Sequence, residues 1–118
     1  MTRLNGLVLL LILSASGCAV RIPEIGRNLP PAWDDANHAF DARVQERFPV
    51  GSSEAALVTE LKREGFIVSD SKVEPETYKS IALYDRPGLP CRLTWRVLWA
   101  SEDSKISAIA GHYGGVCL

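Results

Sequence analysis

Histidine, cysteine and carboxylate side chains are the groups in this 118-residue chain whose spacing could support chemistry. His38 follows Asp34 by four residues, a spacing that on a helix could orient an imidazole or hold a metal ion. No second cluster of ligand-type residues accompanies this pair, and no Ser or Cys has a neighbouring base that could activate it. Gly111, Gly114 and Gly115 do not form a nucleotide-binding fingerprint, because they follow a predicted strand and precede no predicted helix. We therefore expect a protein without enzymatic activity, metal, cofactor or small-molecule substrate.

The composition narrows the classes of protein further. The chain has 13 Lys+Arg against 14 Asp+Glu, a net charge of −1, and it is 47% hydrophobic and 23% charged. These values are typical of a small globular domain and speak against a nucleic-acid-binding protein. No apolar run reaches the roughly 18–20 residues that a membrane-spanning helix needs.

The first residues have the layout of a secretory signal. Arg3 precedes an apolar run from Leu4 to Leu13, which only Asn5 and Gly6 interrupt, and small residues follow over 14–17. A buried core helix is the other interpretation, but such a helix would carry polar residues among its leucines.

The end of this signal is more specific than the apolar run. Ala15-Ser16-Gly17-Cys18 resembles the cleavage box of bacterial lipoproteins. The resemblance implies that residues 1–17 are removed and that Cys18 carries a diacylglycerol and fatty acyl chains such as palmitate. Ala19, which stands where Asp would resemble an inner-membrane retention signal, favours the outer membrane, with the protein facing the periplasm.

The segment after the cysteine predicts a tether. Residues 19–31 read AVRIPEIGRNLPP and show neither a helical nor a strand period. Because proline restricts φ and lacks an N–H group, we expect 18–31 to be a semi-rigid linker of about 40 Å, with the lipidated Cys18 at its start. A single domain is expected over 32–118.

Two helices are predicted at the start of this domain. The first follows Asp34-Asp35 and ends at Pro49, and the second begins after an N-cap at Ser52 and ends at Gly65. Their apolar stripes contain Ala36, Phe40, Val44 and Phe48 in the first helix, and Ala55, Leu57, Val58 and Leu61 in the second.

Three antiparallel strands are predicted after a polar stretch from Ser69 to Thr77. They cover Tyr78–Tyr84, the alternating segment Arg92–Ala100 and a return strand that includes Ile106–Tyr113. The fold class is therefore α+β, a two-layer ααβββ domain in which a helical hairpin packs on the sheet.

A trial register predicts which side chains share a face of the sheet. Placing Trp99 opposite Ile106 pairs Trp95 with Ala110 and Val97 with Ala108 on the helix-covered face, and it puts His112 near Leu93 on that face. The outer face is then expected to carry Arg and Tyr together with Leu98 and Ile109. It is either an ordinary solvated surface or a partner-binding surface, because Arg and Tyr are enriched at interface hot spots. The candidate partner-binding residues are Tyr78, Tyr84, Arg92, Arg96 and Tyr113.

Cys91 and Cys117 are predicted to form a disulfide, because Cys18 is lipidated and the predicted compartment is oxidising. The trial register places Cys91 opposite about residue 114, and Gly114-Gly115 would fold the tail back to bring Cys117 close. A metal site made of these cysteines and His112 is the competing interpretation, and its ligand spacing does not match zinc motifs.

The order of signal, tether, two helices and strands resembles the BamE/SmpA/OmlA group of small outer-membrane lipoproteins. The resemblance covers Asp34 to Tyr113 and rests on Gly51-Ser52 before the second helix, on its apolar positions and Gly65, and on the final hairpin. It implies an ααβββ binding module; the group's namesake assists outer-membrane β-barrel assembly. The Cys91/Cys117 pair and the strand Trp95-x-Val97-x-Trp99 depart from the group's pattern.

Two functions follow as hypotheses. The first is a non-enzymatic lipoprotein, bound to the membrane by its lipid, that docks a protein partner and serves envelope assembly or integrity. The second is an anchored inhibitor or immunity protein that blocks a toxin or a hydrolase.

Overall fold

A computed structural model describes residues 22–71 and 77–118. Its elements are a 3-10 helix at Glu24–Gly26, α1 at Trp33–Arg47, α2 at Glu54–Arg63, β1 at Ile67–Asp70, β2 at Ser80–Arg86, β3 at Cys91–Glu102 and β4 at Lys105–Cys117. The strands form one antiparallel sheet in the order β1-β2-β3-β4. Both helices pack on one face of this sheet. The predicted α+β class is confirmed, but the sheet has four strands and not three.

The strand that the sequence does not predict is β1. Its first two residues lie in no predicted element, and its last two fall in the predicted polar stretch. Among its residues only Val68 is half-buried and packs against the core, whereas Ile67, Ser69 and Asp70 are exposed. Such a strand has no alternation of apolar and polar residues that the sequence could reveal. It forms because β2 offers a complete ladder of partners, from Ile67 opposite Leu83 to Asp70 opposite Ser80.

Both predicted helices form, but α1 begins at Trp33, so Asp34 and Asp35 lie in its first turn and do not precede it. The stripe of α1 is buried, with Phe40 and Val44 fully inaccessible. Helix α2 ends at Arg63 with Glu64 as its C-cap, and the next residue, Gly65, has a φ of +98°, in the left-handed region that favours glycine. The Gly65 N–H donates to the Lys62 carbonyl and the Phe66 N–H to the Leu61 carbonyl, which is the Schellman arrangement of bonds.

The N-cap of α2 is Ser53, and the prediction of Ser52 is wrong. The Ser53 hydroxyl accepts a hydrogen bond from the Ala56 N–H at 3.2 Å. Ser52 instead contacts the start of β4, where its carbonyl accepts the Ile106 N–H at 2.9 Å. The helix therefore starts one residue later than local sequence signals indicate.

The register between β3 and β4 also differs from the trial register. Trp99 lies opposite Ile109, Val97 opposite Gly111 and Trp95 opposite Tyr113. Two features cause the difference: a two-residue turn at Asp103-Ser104, in which both residues have positive φ, and a bulge next to Ala100.

Residues 22–31, which we call the strap, pack on the domain, whereas a semi-rigid linker outside the domain is predicted for this part of the chain. Ile25 is 5% exposed, and its N–H donates to Glu64 Oε1 at 2.7 Å. Arg43 on α1 donates to the carbonyls of Ile25, Arg27 and Asn28. The folded unit therefore begins no later than residue 22, at least ten residues before the predicted boundary.

Candidate functional site

Strand β4 lies at one edge of the sheet, and its first part is covered. The Ile106 carbonyl accepts the Gly51 N–H at 2.7 Å from the loop between the helices. The N–H groups of Gly111 and Tyr113 donate to Asp41 Oδ1 at 2.8 Å and to Asn37 Oδ1 at 2.9 Å on α1. We call residues 105–113 the covered half of β4. Side chains from α1 here satisfy groups that an edge strand would otherwise expose.

Two glycines allow the helix to approach this edge so closely. A Cβ atom at Gly111 would lie 2.8 Å from Val44 Cγ2 and 3.2 Å from the Asp41 Cα. A Cβ atom at Gly115 would lie 2.7 Å from Cη2 of Trp33. The absence of these side chains lets α1 rest on the backbone of β4.

Helix α1 begins at Trp33, so beyond Tyr113 no helix of the described chain continues along the edge. We call residues 114–117 the open half of β4. A groove of about 590 Å³ lies here. Its wall on the helix side contains Trp33, Asp34, Asn37 and Tyr113, the other wall contains Thr94, Arg96 and His112, and the floor is the open half.

A row of aromatic side chains supports the helix side of this groove. The rings of Phe66, Tyr84, Trp95, Tyr113 and Trp33 follow one another with centroids 5.3–5.6 Å apart. The last ring, Trp33, stacks on Tyr113 and is 46% exposed. Burial raises the pKa of the Tyr113 phenol, against the opposing effect of the positive charge of Arg86. The exposed indole thus rests on the half-buried ring of Tyr113, which in turn contacts the buried Trp95.

The other wall carries two cationic or potentially cationic side chains. Arg96 and His112 are cross-strand partners on the outer face, and both are exposed. In the described part of the chain no carboxylate forms a salt bridge with Arg96. The nearby Arg92 differs, because it pairs with Asp85. This hydrogen-bonded pair holds the pKa of Asp85 below its usual value and raises that of Arg92.

The structure separates the five predicted partner-binding residues. Arg92 and Arg96 lie on the outer face, as expected. Tyr84 and Tyr113 lie on the helix-covered face, because they flank Trp95 in the register, so their predicted position on the outer face is wrong. Tyr78 precedes β2 in a connection and is half-buried. The groove brings together only Arg96 and Tyr113 of this set.

The same shift in register corrects two further residues. Ile109 packs in the core, although it was expected on the outer face. His112, expected on the covered face near Leu93, lies opposite Arg96 on the outer face. The rest of the outer face is more aliphatic than expected; its central positions are Ile67, Ile81, Leu83, Leu98, Ala100, Ala108 and Ala110.

The predicted disulfide between Cys91 and Cys117 is present, with the two Cα atoms 4.0 Å apart. Its route differs from the expectation, because β4 does not fold back at Gly114-Gly115. The strand continues to Cys117, which lies directly opposite Cys91 in the ladder. The disulfide therefore ties the end of the open half to β3.

Trp33 and His112 are among the groove residues that the sequence did not indicate as partner-binding residues. Trp33 comes directly before Asp34-Asp35 and is not one of the residues of the apolar stripe. A tryptophan at such a position was the sequence signal that could have identified it. His38, which the sequence paired with Asp34, is exposed on α1. No cluster of three or more potential metal ligands occurs within 22–71 and 77–118.

Comparisons with protein-family models, with curated proteins and with solved structures gave no match to this chain. Among the described residues no helix is long and apolar enough to cross a bilayer. The predicted signal over 1–17 and the predicted lipidation site at Cys18 lie outside the described residues.

Proposed function

We propose that this protein is a lipid-anchored, non-enzymatic binding module that faces the periplasm from the outer membrane and holds a protein partner in the groove beside β4. The observation that carries the proposal is the combination of the exposed Trp33, stacked on Tyr113, with Arg96, which forms no salt bridge within 22–71 and 77–118, at a partly open sheet edge. Trp and Arg are the residue types most enriched in the centres of protein interfaces.

The anchor part of the proposal rests on the cleavage box Ala15–Cys18. The packing of the strap on the domain limits the distance between Cys18 and the domain. Only residues 19–21 separate Cys18 from the docked Ile22, a reach of at most about 14 Å for an extended chain. A lipidated Cys18 would therefore hold the domain next to the bilayer, and not at the end of a linker of about 40 Å. We infer a partner that is itself within or close to the membrane surface.

The resemblance to the BamE/SmpA/OmlA group supports a binding role in outer-membrane assembly or integrity. An inhibitor or immunity protein would use the same groove, with a toxin or hydrolase as its partner. The identity of the partner distinguishes the two roles, so the test must identify it.

The test of the groove is photo-cross-linking in intact cells of the native host. A photoreactive amino acid replaces Val116, an exposed residue that lines the groove, and in a matched variant it replaces Thr59, an exposed residue on α2. We expect a defined adduct with an envelope protein from position 116 and not from position 59, with the partner identified by mass spectrometry. The same adducts from both positions, or none from position 116, would contradict the proposal.

The test of the anchor is a Cys18→Ala variant. We expect the wild-type protein to fractionate with outer membranes and its N-terminal peptide to carry the mass of acyl chains. The variant should lose this modification and keep its signal sequence. An unmodified wild-type Cys18 would show that the anchor part of the proposal is wrong.

A further inference from the structure

The hydrogen-bonding directions of β4 follow from three observed bonds. The Leu118 N–H donates to the Pro90 carbonyl at 2.9 Å, so residue 118 faces the partner strand. The Gly111 and Tyr113 N–H groups point the other way, to α1. Because these directions alternate along an antiparallel pair, the N–H and C=O groups of Gly115 and Cys117 also point away from β3. Among the described residues no hydrogen bond to these groups of Gly115 and Cys117 is present.

The two adjacent glycines of the open half have different surroundings. Gly115 is required for packing, since a Cβ there would collide with Trp33. Gly114 lies on the outer face, and no described atom lies within 4 Å of where its Cβ would be. Gly114 therefore has no packing role, and it leaves a clear path from the strand edge to Thr94 and Arg96. A glycine inside a strand often marks a place where another backbone approaches.

The two walls of the groove would contact different side chains of an added strand. Side chains alternate along a strand, so one set would face Trp33 and Asp34 and the other set would pass over Gly114 toward Arg96. The first wall can contact apolar side chains through the exposed indole of Trp33. The second suits carboxylates, because Arg96 has no carboxylate partner among the described residues and an Arg–carboxylate pair is a strong, directional contact.

We propose that the open half of β4 binds an extended segment of a partner protein as a fifth strand, and that this segment alternates acidic and apolar residues. The inference rests on the proposed function and names the occupant of the same groove. Main-chain hydrogen bonds to Gly115 and Cys117 hold the segment, and Arg96 and Trp33 select its side chains.

A second copy of this chain fits the groove less well. Pairing of two β4 edges would place at each groove the sequence KISAIAGHYGGVC, which contains no acidic residue. Arg96 would remain without a carboxylate. The side chain of Arg96, which has no carboxylate partner among the described residues, therefore favours a different, acidic partner.

The disulfide prepares this edge for binding. Two glycines weaken a strand, but the Cys91–Cys117 bond ties its end to β3. The open half is thus held extended before a partner arrives, which reduces the ordering cost of association.

The experiment uses the full-length chain, extracted from membranes in detergent, and a fluorescent probe peptide, acetyl-Val-Glu-Val-Glu-Val-Thr-amide. Two further peptides carry N-methyl groups on alternate amides, so that one blocks the amides facing β4 and the other blocks those facing solvent. We expect one methylated peptide to bind at least about tenfold more weakly than the parent and the other to bind equally well, because main-chain bonds form on one edge only. The amide signal of ¹⁵N-labelled Gly115 should shift on binding.

Protein variants then test the side-chain selection. Arg96→Gln should weaken binding of the probe at least about tenfold, whereas Lys62→Gln, which removes the same charge from an exposed site on α2, should change it less than about twofold. Gly114→Val should weaken binding without altering the circular dichroism or thermal unfolding, because its side chain fills the path to Arg96 and not the core. A peptide with Lys in place of Glu should not bind.

Three outcomes would overturn the inference. These are no saturable binding of the probe, equal binding of the two methylated peptides, or a dimer that protects the Gly115 amide without peptide. A cross-link from position 116 to an envelope protein, together with failed peptide binding, would leave the proposed function standing and reject only the strand mode. Failure of both would reject the groove altogether.

Discussion

The covered and open halves of β4 both pair with β3, but they differ in the hydrogen bonds that their outer edges form. In residues 105–113, side chains of α1 and the loop before α2 accept or offer the hydrogen bonds of the edge. In residues 114–117, no described helix provides such groups, and Trp33 covers only the face of Gly115. One strand thus contains both a protected edge and an available edge.

This difference shows how a small domain can leave part of a sheet edge open without exposing its core. The covered half contributes Ile106 and Ile109 to the buried cluster. The open half contributes no residue to that cluster, and a disulfide holds its end. Changes in the open half should therefore affect binding, whereas changes in the covered half should affect folding.

The largest effect is expected from removing the disulfide. The double variant Cys91→Ser with Cys117→Ser should lower the free energy of unfolding by roughly 3 kcal/mol, since the bond closes a loop with a sequence separation of 26 residues. Urea unfolding measures this loss. Hydrogen exchange should accelerate more at Gly115 than at Gly111, and equal acceleration at both would show that the halves are not distinct.

Matched valine substitutions test the comparison directly. Gly111→Val should destabilise the protein by about 2–3 kcal/mol, because its side chain would overlap Val44 and the backbone of Asp41. Gly114→Val should change the stability by no more than about 0.5 kcal/mol, because its surroundings are open. Thermal and urea unfolding give both values. A similar cost for the two variants would contradict the division of β4.

A smaller effect is expected when α1 no longer accepts a hydrogen bond from the edge of β4. Asn37→Ala leaves the half-buried Tyr113 N–H without its acceptor and should cost about 1–2 kcal/mol. The control is Asn37→Asp, which keeps an acceptor oxygen and should retain most of the stability at neutral pH. If Asn37→Ala is as stable as the wild type, the contact with α1 does not protect this edge.

The smallest effect concerns the two arginines on the outer face. Asp85 has a lowered pKa in the folded protein, so its pair with Arg92 contributes stability above the ordinary pKa of 3.8 and loses it as the pH falls through the lower folded value. Asp85→Asn should therefore be slightly less stable than wild type at pH 7 and equally stable near pH 2. Arg96→Gln should match the wild type at both pH values, because Arg96 forms no such pair in the described chain. Unfolding curves at the two pH values test this, and a pH-dependent loss in Arg96→Gln would reveal a partner.

Local patterns in the sequence were sufficient for the features that depend on neighbouring residues. The stripe from Ala36 to Phe48 predicted the buried face of α1, and Gly65 predicted the end of α2, because helix periodicity and capping act within one or two turns. The alternation around Trp95 and Trp99 predicted β3 and its buried face. The disulfide partner was also predicted, since only two cysteines remain after the predicted lipidation of Cys18.

Tertiary structure alone decided the features that depend on distant residues. The side on which Tyr113 and His112 lie depends on the turn at Asp103-Ser104 and on one bulge, and a change of one residue in register reverses the faces. Strand β1 and the strap have no periodic pattern of their own, and they are ordered by surfaces that the rest of the chain builds. The groove follows from the same cause: its floor, its indole and its arginine come from three elements that only the folded chain brings together.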